Sequence, residues 1–324
     1  MYKVAVTDYG FDNLDPEKSI LEPLGCAVVG QKTGKDPAAL IELVKDADAV
    51  ITQFAPVTAE VISAMTKCRV IVRYGIGVDN VDLKAAAAKG IPVCNVPDYC
   101  TDEVADHTLA LILAATRQTV PCANVIKAGQ WKCPVSLQSL HALKSMTVGI
   151  VALGRIGREV ANRLKPFKCR LVAFDPALSA EQVRAAGCEP VGLDELYAQS
   201  DLITLHCPST EKTRQMINAR SLARMKRGVI LVNASRGTLV KTPDLVAALQ
   251  SGQVSAAALD VTDPEPIDPD SPLLKMDNVI ITSHMASASP QAVKKLRTEV
   301  ALAVARTVKG EPLVNVVNGI GRRS

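Results

Sequence analysis

The chain has 324 residues, of which 48% are hydrophobic and 22% charged, values typical of a folded globular protein rather than a disordered or collagen-like one. Its 37 Lys and Arg residues exceed its 33 Asp and Glu residues by only 4 charges, and only 3% of residues are aromatic. This balance argues against a nucleic-acid-binding protein, and the length suggests two domains of ~150 residues each.

The first part of the chain alternates strand-like and helix-like segments. YKVAVTD is a predicted strand, and DPEKSILEPLG is a predicted helix with Asp15 as N-cap, Pro16 at the first helical position and Gly25 as its stop. CAVVG (strand), DPAALIELVKDA (capped helix) and the strands DAVITQ, RVIVRYG and IPVCNV follow. Such alternation predicts a parallel sheet with helices on both faces.

A second, longer series begins near Met146. TVGIVAL is a predicted strand and GRIGREVANRL a helix, and the later predicted strands are RLVAFD, DLITLHCP, GVILVNAS, SAAALDV and NVIITSH. Long helices at Asp102–Gln118 and Ser289–Gly310 join the two halves. The segment after the second helix is too short for a domain and is expected to return to the first half. We therefore predict one domain of residues 1–100 and 288–324, with a second domain of residues 101–287 inserted in it.

VALGRIG, between a predicted strand and a predicted helix, resembles a dinucleotide-binding fingerprint. Gly154 would let the backbone approach a pyrophosphate, Gly157 would let the helix pack closely, and the backbone of Arg155 and Ile156 would lie nearest the phosphates. The first glycine position of the fingerprint holds Ala152, so the turn is expected to be slightly altered.

Asp175 ends the next predicted strand, at the ~20-residue spacing of the carboxylate that binds the adenosine ribose. A carboxylate there would repel a 2′-phosphate, which favours NAD over NADP. The alternative is a turn residue before Pro176.

Three further segments place polar residues at predicted strand ends. VNASRG holds Arg236, LDVTDPEP holds Asp260 and Glu265, and TSHMAS holds His284. Because ligands gather at the carboxyl ends of strands in a doubly wound sheet, an arginine, a carboxylate and a histidine meeting there would suit carbonyl chemistry.

Together with their order, these motifs resemble the D-isomer-specific 2-hydroxyacid dehydrogenases over nearly the whole length. The segments that carry the resemblance are RYGIGVDNVDL, NVPDYCTDEVADHTLALIL, VALGRIG, LHCP, VNASRG, ALDVTDPEP and TSHMA. The resemblance extends to phosphoglycerate dehydrogenases, glyoxylate/hydroxypyruvate reductases and C-terminal binding proteins. It implies a Rossmann cofactor domain inserted in a flavodoxin-like substrate domain, both of α/β class with doubly wound parallel sheets.

The resemblance also implies roles for single residues. Arg236 would bind the carboxylate and carbonyl oxygen of a small 2-oxo acid, His284 would exchange the proton, and Glu265 would hydrogen-bond His284. Asp260 resembles the residue near the nicotinamide carboxamide. The remaining implied contacts are the cofactor-facing Cys207, Thr213, Ala234 and Ser235, and the substrate-carboxylate loop of Gly75, Ile76 and Gly77.

Several alternatives stay open. PDYCTDEVADHTLALIL also resembles the C-terminal binding proteins, which implies an NAD-sensing corepressor as the other function. Arg73 is either a surface cation or a contact for an anionic substrate tail. Ser283 replaces the proline that the family usually has before the histidine, and His107, His141 and His206 are expected to be structural.

The other expectations concern environment and assembly. Nine scattered cysteines without a CxxC pair indicate reduced thiols and a cytoplasmic protein, and the histidines lack metal-ligand spacing. The start of the chain does not resemble a signal peptide, and the apolar stretch Thr108–Ala115 is too short to span a bilayer, so no membrane partner is expected.

We also predict a homodimer with an isologous interface on residues 102–145. The predicted helix there has an apolar face that its own domain is not expected to cover fully, formed by Val104, Leu109, Leu111, Ile112, Leu113 and Ala114. Trp131, the only tryptophan, lies in the polar loop that follows. It is expected to become buried on dimerisation and to border the partner's substrate pocket.

Overall fold

The computed structural model describes residues 1–321, apart from the side chain of Gln138. The strands are β1 (Tyr2–Val6), β2 (Cys26–Gly30), β3 (Ala49–Thr52), β4 (Ile71–Arg73), β5 (Val93–Cys94), β6 (Thr147–Val151), β7 (Arg170–Phe174), β8 (Glu189–Pro190), β9 (Leu202–Leu205), β10 (Val229–Asn233), β11 (Val254–Leu259) and β12 (Val279–Ile281). The helices are α1 (Asp15–Leu21), α2 (Pro37–Val44), α3 (Ala59–Ala64), α4 (Leu83–Ala88), α5 (Thr101–Arg117), α6 (Thr119–Lys127), α7 (Arg155–Leu164), α8 (Ala180–Ala185), α9 (Leu193–Gln199), α10 (Ala219–Leu222), α11 (Thr242–Gln250) and α12 (Pro290–Lys309). Short 3-10 turns lie at Glu22–Leu24, Leu137–Ser139, Leu143–Ser145, Lys165–Phe167, Gly237–Leu239 and Pro272–Lys275.

The chain divides into two compact units. The first comprises Met1–Tyr99 with Ser289–Ser324, of which residues 322–324 lie outside the described part, and the second comprises Cys100–Ala288. These junctions differ by one residue from the domain bounds expected from the sequence.

The first unit is built on a five-stranded parallel sheet in the order β2-β1-β3-β4-β5, the flavodoxin-like order. Side-chain caps begin four of its helices. Asp36 accepts from the Ala38 amide of α2, Thr58 from the Val61 amide of α3, Asp82 from the Ala85 amide of α4 and Ser289 from the Ala292 amide of α12. The C-terminal segment does return to this unit, because Val316 pairs antiparallel with Cys94 at the end of the sheet.

One cap prediction was wrong. Asp15 is the first residue of α1, Leu14 precedes it at the N-cap position, and no side chain caps that end. Asp15 instead places its carboxylate in the first turn, where the helix dipole favours negative charge. Gly25 does stop the segment, with a left-handed φ of 75° after the 3-10 turn.

The second unit has a seven-stranded parallel sheet in the order β12-β11-β10-β9-β6-β7-β8. Counted from β6, its first six strands follow the classic Rossmann order, and the order reverses between β6 and β9. Apolar clusters cover both faces of the sheet; Val148 and Ile150 of β6 face one cluster and Val151 faces the other. The predicted fold class is confirmed.

The apolar face of α5 is mostly covered within its own unit, although Leu109, Leu113 and Ala114 remain partly exposed. Val104, Leu111 and Ile112 are buried, and Leu109 and Leu113 pack against the same core cluster. The large apolar side chains that this region exposes come later in the chain: Val120, Ile126, Trp131 and Leu137. The helix α5 is covered because it packs against α7 and against β10 and β11.

Among the described residues, no single helix is long and apolar enough to cross a membrane. The helices α5 and α6 meet that requirement only as a pair, which is bent by 68° at the break between them. All nine cysteines are free thiols.

Candidate active site

The turn between β6 and α7 has the geometry of a phosphate-binding loop. Gly154 stands at the N-cap of α7, and no side chain caps this helix end. The first amides of a helix lack partners within the helix, so those of Arg155, Ile156 and Gly157 are the expected anion donors. A Cβ at Gly154 would meet no protein atom within 4 Å, so a ligand can approach the backbone there.

Two other positions of the loop show why its residues are small. A Cβ at Gly157 would lie 2.2 Å from the carbonyl oxygen of Ala152, so only glycine allows α7 to pack this closely on β6. Ala152 has a φ of 74°, in the left-handed region that favours glycine, which explains why the fingerprint normally has glycine at this position. The altered turn that was expected therefore keeps a glycine-like backbone.

Asp175 follows β7 and contacts this loop directly. Its Oδ2 accepts from the Leu153 amide at 2.9 Å and its Oδ1 from the Ala177 amide at 2.9 Å. A carboxylate has about four acceptor positions, so two remain for ribose hydroxyls. The residues of this loop thus fit the adenosine and pyrophosphate parts of NAD.

Several hydrogen bonds join the loops after β9 and β10, including one from Ser235 Oγ to the Cys207 carbonyl at 2.7 Å. The side chain of Cys207 is buried and contacts Met216 Sδ at 3.7 Å, and burial raises the pKa of its thiol to about 11. A cofactor contact at Cys207 would therefore use the backbone rather than the thiol. Thr213 donates to the Pro208 carbonyl at 2.6 Å, and Ala234 lies beside Ser235, partly buried.

His284 and Glu265 are in contact. The Nδ1 of His284 lies 2.5 Å from Oε1 of Glu265, and both side chains are partly exposed, at 29% and 39%. A carboxylate hydrogen-bonded to Nδ1 fixes the orientation of the imidazole ring.

Asp260 holds the loop that carries His284. It is 1% exposed, its carbonyl accepts from the His284 amide at 2.8 Å, and its carboxylate accepts from the Met285 and Ala286 amides at 3.0 and 2.9 Å. These bonds accompany a φ of 54° at His284, which is unfavourable for a residue with a side chain.

Sequence reasoning missed a second contact of this aspartate. Thr282 Oγ1 donates to Asp260 Oδ1 at 2.5 Å, and His107 Nε2 of α5 lies 3.0 Å from that hydroxyl and 3.5 Å from the carboxylate. His107 was expected to be structural, and its two contacts connect α5 to the loop that carries His284. Its partners are far away in sequence, so no local pattern could have identified them.

Arg236 lies just after β10. The neighbouring strand in the sheet is β11, and the chain leads from it to Asp260 and Glu265. Its guanidinium donates to the Ser235 carbonyl at 2.7 Å. The next residue, Gly237, is packed so closely that a Cβ there would lie 1.9 Å from the Thr262 carbonyl oxygen. The glycine of VNASRG thus lets the Arg236 segment lie against the segment that leads to Glu265.

The expected substrate-carboxylate loop belongs to the first unit. Gly75 has a φ of 147° and packs under Arg73, whose Nη1 would lie 1.4 Å from a Cβ at that position. The loop is held by Val96, which donates its amide to the Gly75 carbonyl at 3.0 Å, and by Asn95, which donates to the Ile76 carbonyl at 2.6 Å. Gly77 follows, half-buried.

The other two histidines differ in environment. His206 follows β9, its Nε2 lies 2.9 Å from Thr204 Oγ1, and burial lowers its pKa to about 4, so it is neutral at physiological pH. His141 is exposed. Within residues 1–321, no group of three His, Cys, Asp or Glu side chains is arranged to hold a metal ion.

Comparison with known proteins identifies the family. Residues 109–286 match the family model described as D-isomer specific 2-hydroxyacid dehydrogenase, NAD binding domain. The chain is 40% identical over 283 residues to the glyoxylate reductase of Korarchaeum cryptofilum, covering 86% of this chain and 85% of that protein. It is also 40% identical over 288 residues to the D-3-phosphoglycerate dehydrogenase of Archaeoglobus fulgidus, covering 89% of this chain but 54% of that protein. The chain thus spans about half the length of that dehydrogenase.

A solved structure of a related enzyme supports the same assignment. The D-lactate dehydrogenase of Aquifex aeolicus, solved with NAD and lactic acid, superposes with a TM-score of 0.84 at 28% identity, covering 95% of this chain and 96% of that one. Nothing in these comparisons favours the corepressor alternative over a dehydrogenase. With the Rossmann strand order, the phosphate-binding turn and these relatives in view, the chain belongs to the D-isomer-specific 2-hydroxyacid dehydrogenase family and is an NAD-dependent oxidoreductase.

Proposed function

We propose that this enzyme interconverts a small 2-oxo acid and the corresponding D-2-hydroxy acid, with His284 and Glu265 as the acid–base pair and Arg236 as the substrate-binding cation. The observation that carries the proposal is the 2.5 Å contact between His284 Nδ1 and Glu265 Oε1, on a loop that the buried Asp260 fixes. NADH, when bound, supplies a hydride for reduction, and NAD⁺ accepts one in the reverse direction.

Side chains of the protein would exchange the proton and bind the substrate. In reduction, protonated His284 gives a proton from Nε2 to the carbonyl oxygen as that oxygen gains charge, and Glu265 stabilises the imidazolium until the proton leaves. Arg236 is permanently charged, so it can hold the carboxylate and polarise the carbonyl without changing its own protonation. In oxidation, neutral His284 takes the hydroxyl proton.

The Gly75–Gly77 loop of the first unit would bind the substrate carboxylate, as the family resemblance implies. The Gly75 amide donates to the Arg73 carbonyl at 2.9 Å, so the amides of Ile76 and Gly77 are the ones proposed to face an anion. The close packing of Arg73 on Gly75 adds a positive charge beside them. Glyoxylate is the first candidate substrate, because the chain spans 85% of the glyoxylate reductase that it matches.

The test is a panel of 2-oxo acids followed by NADH absorbance, containing glyoxylate, hydroxypyruvate, phosphohydroxypyruvate and branched oxo acids. Faster turnover of phosphohydroxypyruvate than of hydroxypyruvate would assign Arg73 to an anionic substrate tail, and the reverse would leave Arg73 as a cation beside the loop. Absence of turnover with every member, despite NADH binding, would refute the proposal.

His284→Gln tests the acid–base role. It should lower kcat by about 10²–10⁴-fold and leave NADH affinity nearly unchanged, because the cofactor contacts remain. His141→Gln is the matched control, since His141 is exposed in the same unit of one chain; its sedimentation is measured as well, because His141 lies in the range proposed below as the interface. A His284→Gln enzyme within a factor of a few of the wild type would remove His284 from the mechanism.

We further propose that the enzyme is a cytoplasmic homodimer built on residues 102–145. Its nine free thiols support a reducing compartment. The exposed side chains of Ile126, Trp131 and Leu137 support the interface, and Trp131 is 94% exposed in one chain. A monomer at micromolar concentration in sedimentation would refute the dimer, and Trp131 fluorescence that does not change on dissociation would refute its place in the interface.

A further inference from the structure

A cluster of buried polar side chains lies behind the Gly75–Gly77 loop, within the first unit. Glu17 of α1 is 0% exposed, Tyr74 after β4 is 1% exposed, and Arg297 of α12 is 8% exposed. Charged side chains are almost never this buried unless they are paired. None of the three belongs to the acid–base machinery described above.

The three side chains satisfy one another. Arg297 donates two hydrogen bonds to the Glu17 carboxylate, from Nε to Oε1 at 2.8 Å and from Nη2 to Oε2 at 2.7 Å. The hydroxyl of Tyr74 donates to the same Oε1 at 3.0 Å. Burial, followed by the charge of Glu17, raises the pKa of the Tyr74 hydroxyl, so this group remains a donor throughout the working pH range.

An aromatic contact fixes the rest of the tyrosine side chain. The Phe11 ring meets the Tyr74 ring edge-on, with centroids 5.4 Å apart, and the Arg297 guanidinium lies 4.7 Å from the Phe11 centroid. Tyr74 is therefore held at both its ring and its hydroxyl.

The backbone of Tyr74 leads directly into the loop. Its amide donates to the Thr52 carbonyl at 2.8 Å, which keeps it in register with β3, and Gly75 then turns at a φ of 147°. Glycine offers no side chain to hold this turn. The anchored Tyr74 side chain is thus the element nearest in sequence that can fix where the loop leaves the sheet.

We propose that Glu17 and Arg297 act through Tyr74 as positioning residues for the substrate-binding loop. The proposal rests on the proposed function of Gly75–Gly77 as the carboxylate site. A buried ion pair is weak evidence for a role in stability alone, because apolar side chains can usually fill the same space at no loss. A displacement of about 1 Å at a binding site, in contrast, can reduce the rate by about 10²-fold.

Tyr74→Phe tests the proposal, because it removes only the hydroxyl that joins the ring to Glu17. Tyr197→Phe is the matched control: Tyr197 is also buried, its hydroxyl has no hydrogen-bond partner among the described residues, and it lies in the other unit. For both variants we would measure KM and kcat with glyoxylate, the Kd for NADH, the urea midpoint and hydrogen exchange of peptides covering residues 73–78.

Tyr74→Phe should raise KM and the exchange rate of the loop peptide about tenfold, as expected for loss of a hydrogen bond to a charged group, with the Kd for NADH within twofold of the wild type. Tyr197→Phe should change neither. A purely structural role would instead lower the urea midpoint without moving KM.

Two results would overturn the inference, and they differ in what they say of the proposed function. Unchanged exchange in the loop peptide would reject the positioning role, whatever the kinetics. Faster exchange with unchanged KM would show that the loop is anchored as described but does not bind substrate, which would also remove it from the proposed function.

Discussion

Replacing Ala152 with glycine should relieve backbone strain in the dinucleotide-binding turn. Ala152 has a φ of 74°, and a left-handed conformation costs a residue with a Cβ about 1–2 kcal/mol. The substitution also carries a cost, because glycine loses about 0.5–1 kcal/mol more backbone entropy on folding. Loss of a partly buried methyl group adds about 0.4 kcal/mol, half the value of a fully buried one.

A control variant separates these contributions. Ala223 lies in the same unit, is exposed and has an ordinary φ of −64°, so Ala223→Gly pays the entropy cost without relief of strain. Ala152→Gly should therefore have a free energy of unfolding about 1 kcal/mol higher than Ala223→Gly, a difference of ~2–4 °C in Tm.

Urea unfolding of both variants, followed by circular dichroism, measures this difference. NADH affinity should not fall in Ala152→Gly, because the substitution removes no amide donor from the turn. An Ala152→Gly variant that is as destabilised as Ala223→Gly, or more so, would refute the argument that the alanine is strained.

The remaining predictions concern three other positions. Burial lowers the pKa of His206 to about 4, so the unfolded state takes up the proton first as pH falls from about 6.5, and stability declines. His206→Asn should reduce the loss of stability between pH 7.5 and 5 by about 2 kcal/mol in urea unfolding, and an unchanged pH slope would contradict this. Gly237→Ala should lower kcat by at least tenfold because its Cβ would displace Thr262 and the segment leading to Glu265, whereas Gly192→Ala, with nothing within 4 Å, should have little effect; equal kcat values for the two variants would be contrary evidence. Asp175→Ala and Asp175→Asn should both weaken the preference for NAD over NADP in kinetic assays, but should differ in stability.

Local pattern was enough to predict every strand except β8, and their order along the chain. The apolar, β-branched runs of β6, β9 and β10 fill central positions of a parallel sheet, which must be apolar on both faces, so their sequence leaves little choice of environment. The edge strand β8 is only Glu189–Pro190, and a segment this short and polar carries no strand pattern.

The interpretation of α5 shows what periodicity omits. An apolar face predicts that something covers the helix, but not what covers it. Here α7 and the sheet of the same unit cover most of that face, and the large apolar side chains that are exposed lie on α6 and in the segment after it. The motifs predicted that Glu265 and His284 lie together. They did not indicate that Asp260, Thr282 and His107 hold the loop that carries His284, because those contacts depend on tertiary structure alone.

Asp175 shows the same limit within a motif, because spacing identified a ribose-binding carboxylate but not its second task. Its Oδ2 accepts a hydrogen bond from the Leu153 amide at 2.9 Å, within the turn that presents the amides expected to bind phosphate. Asp175→Ala would leave that amide without its acceptor, at a cost of about 1–3 kcal/mol, whereas Asp175→Asn keeps one side-chain oxygen that can accept from it. Both variants remove the negative charge that repels a 2′-phosphate, so cofactor preference should shift alike in the two. Asp175→Ala should nevertheless unfold at a lower urea concentration than Asp175→Asn, and equal midpoints would mean that the carboxylate serves the ribose alone.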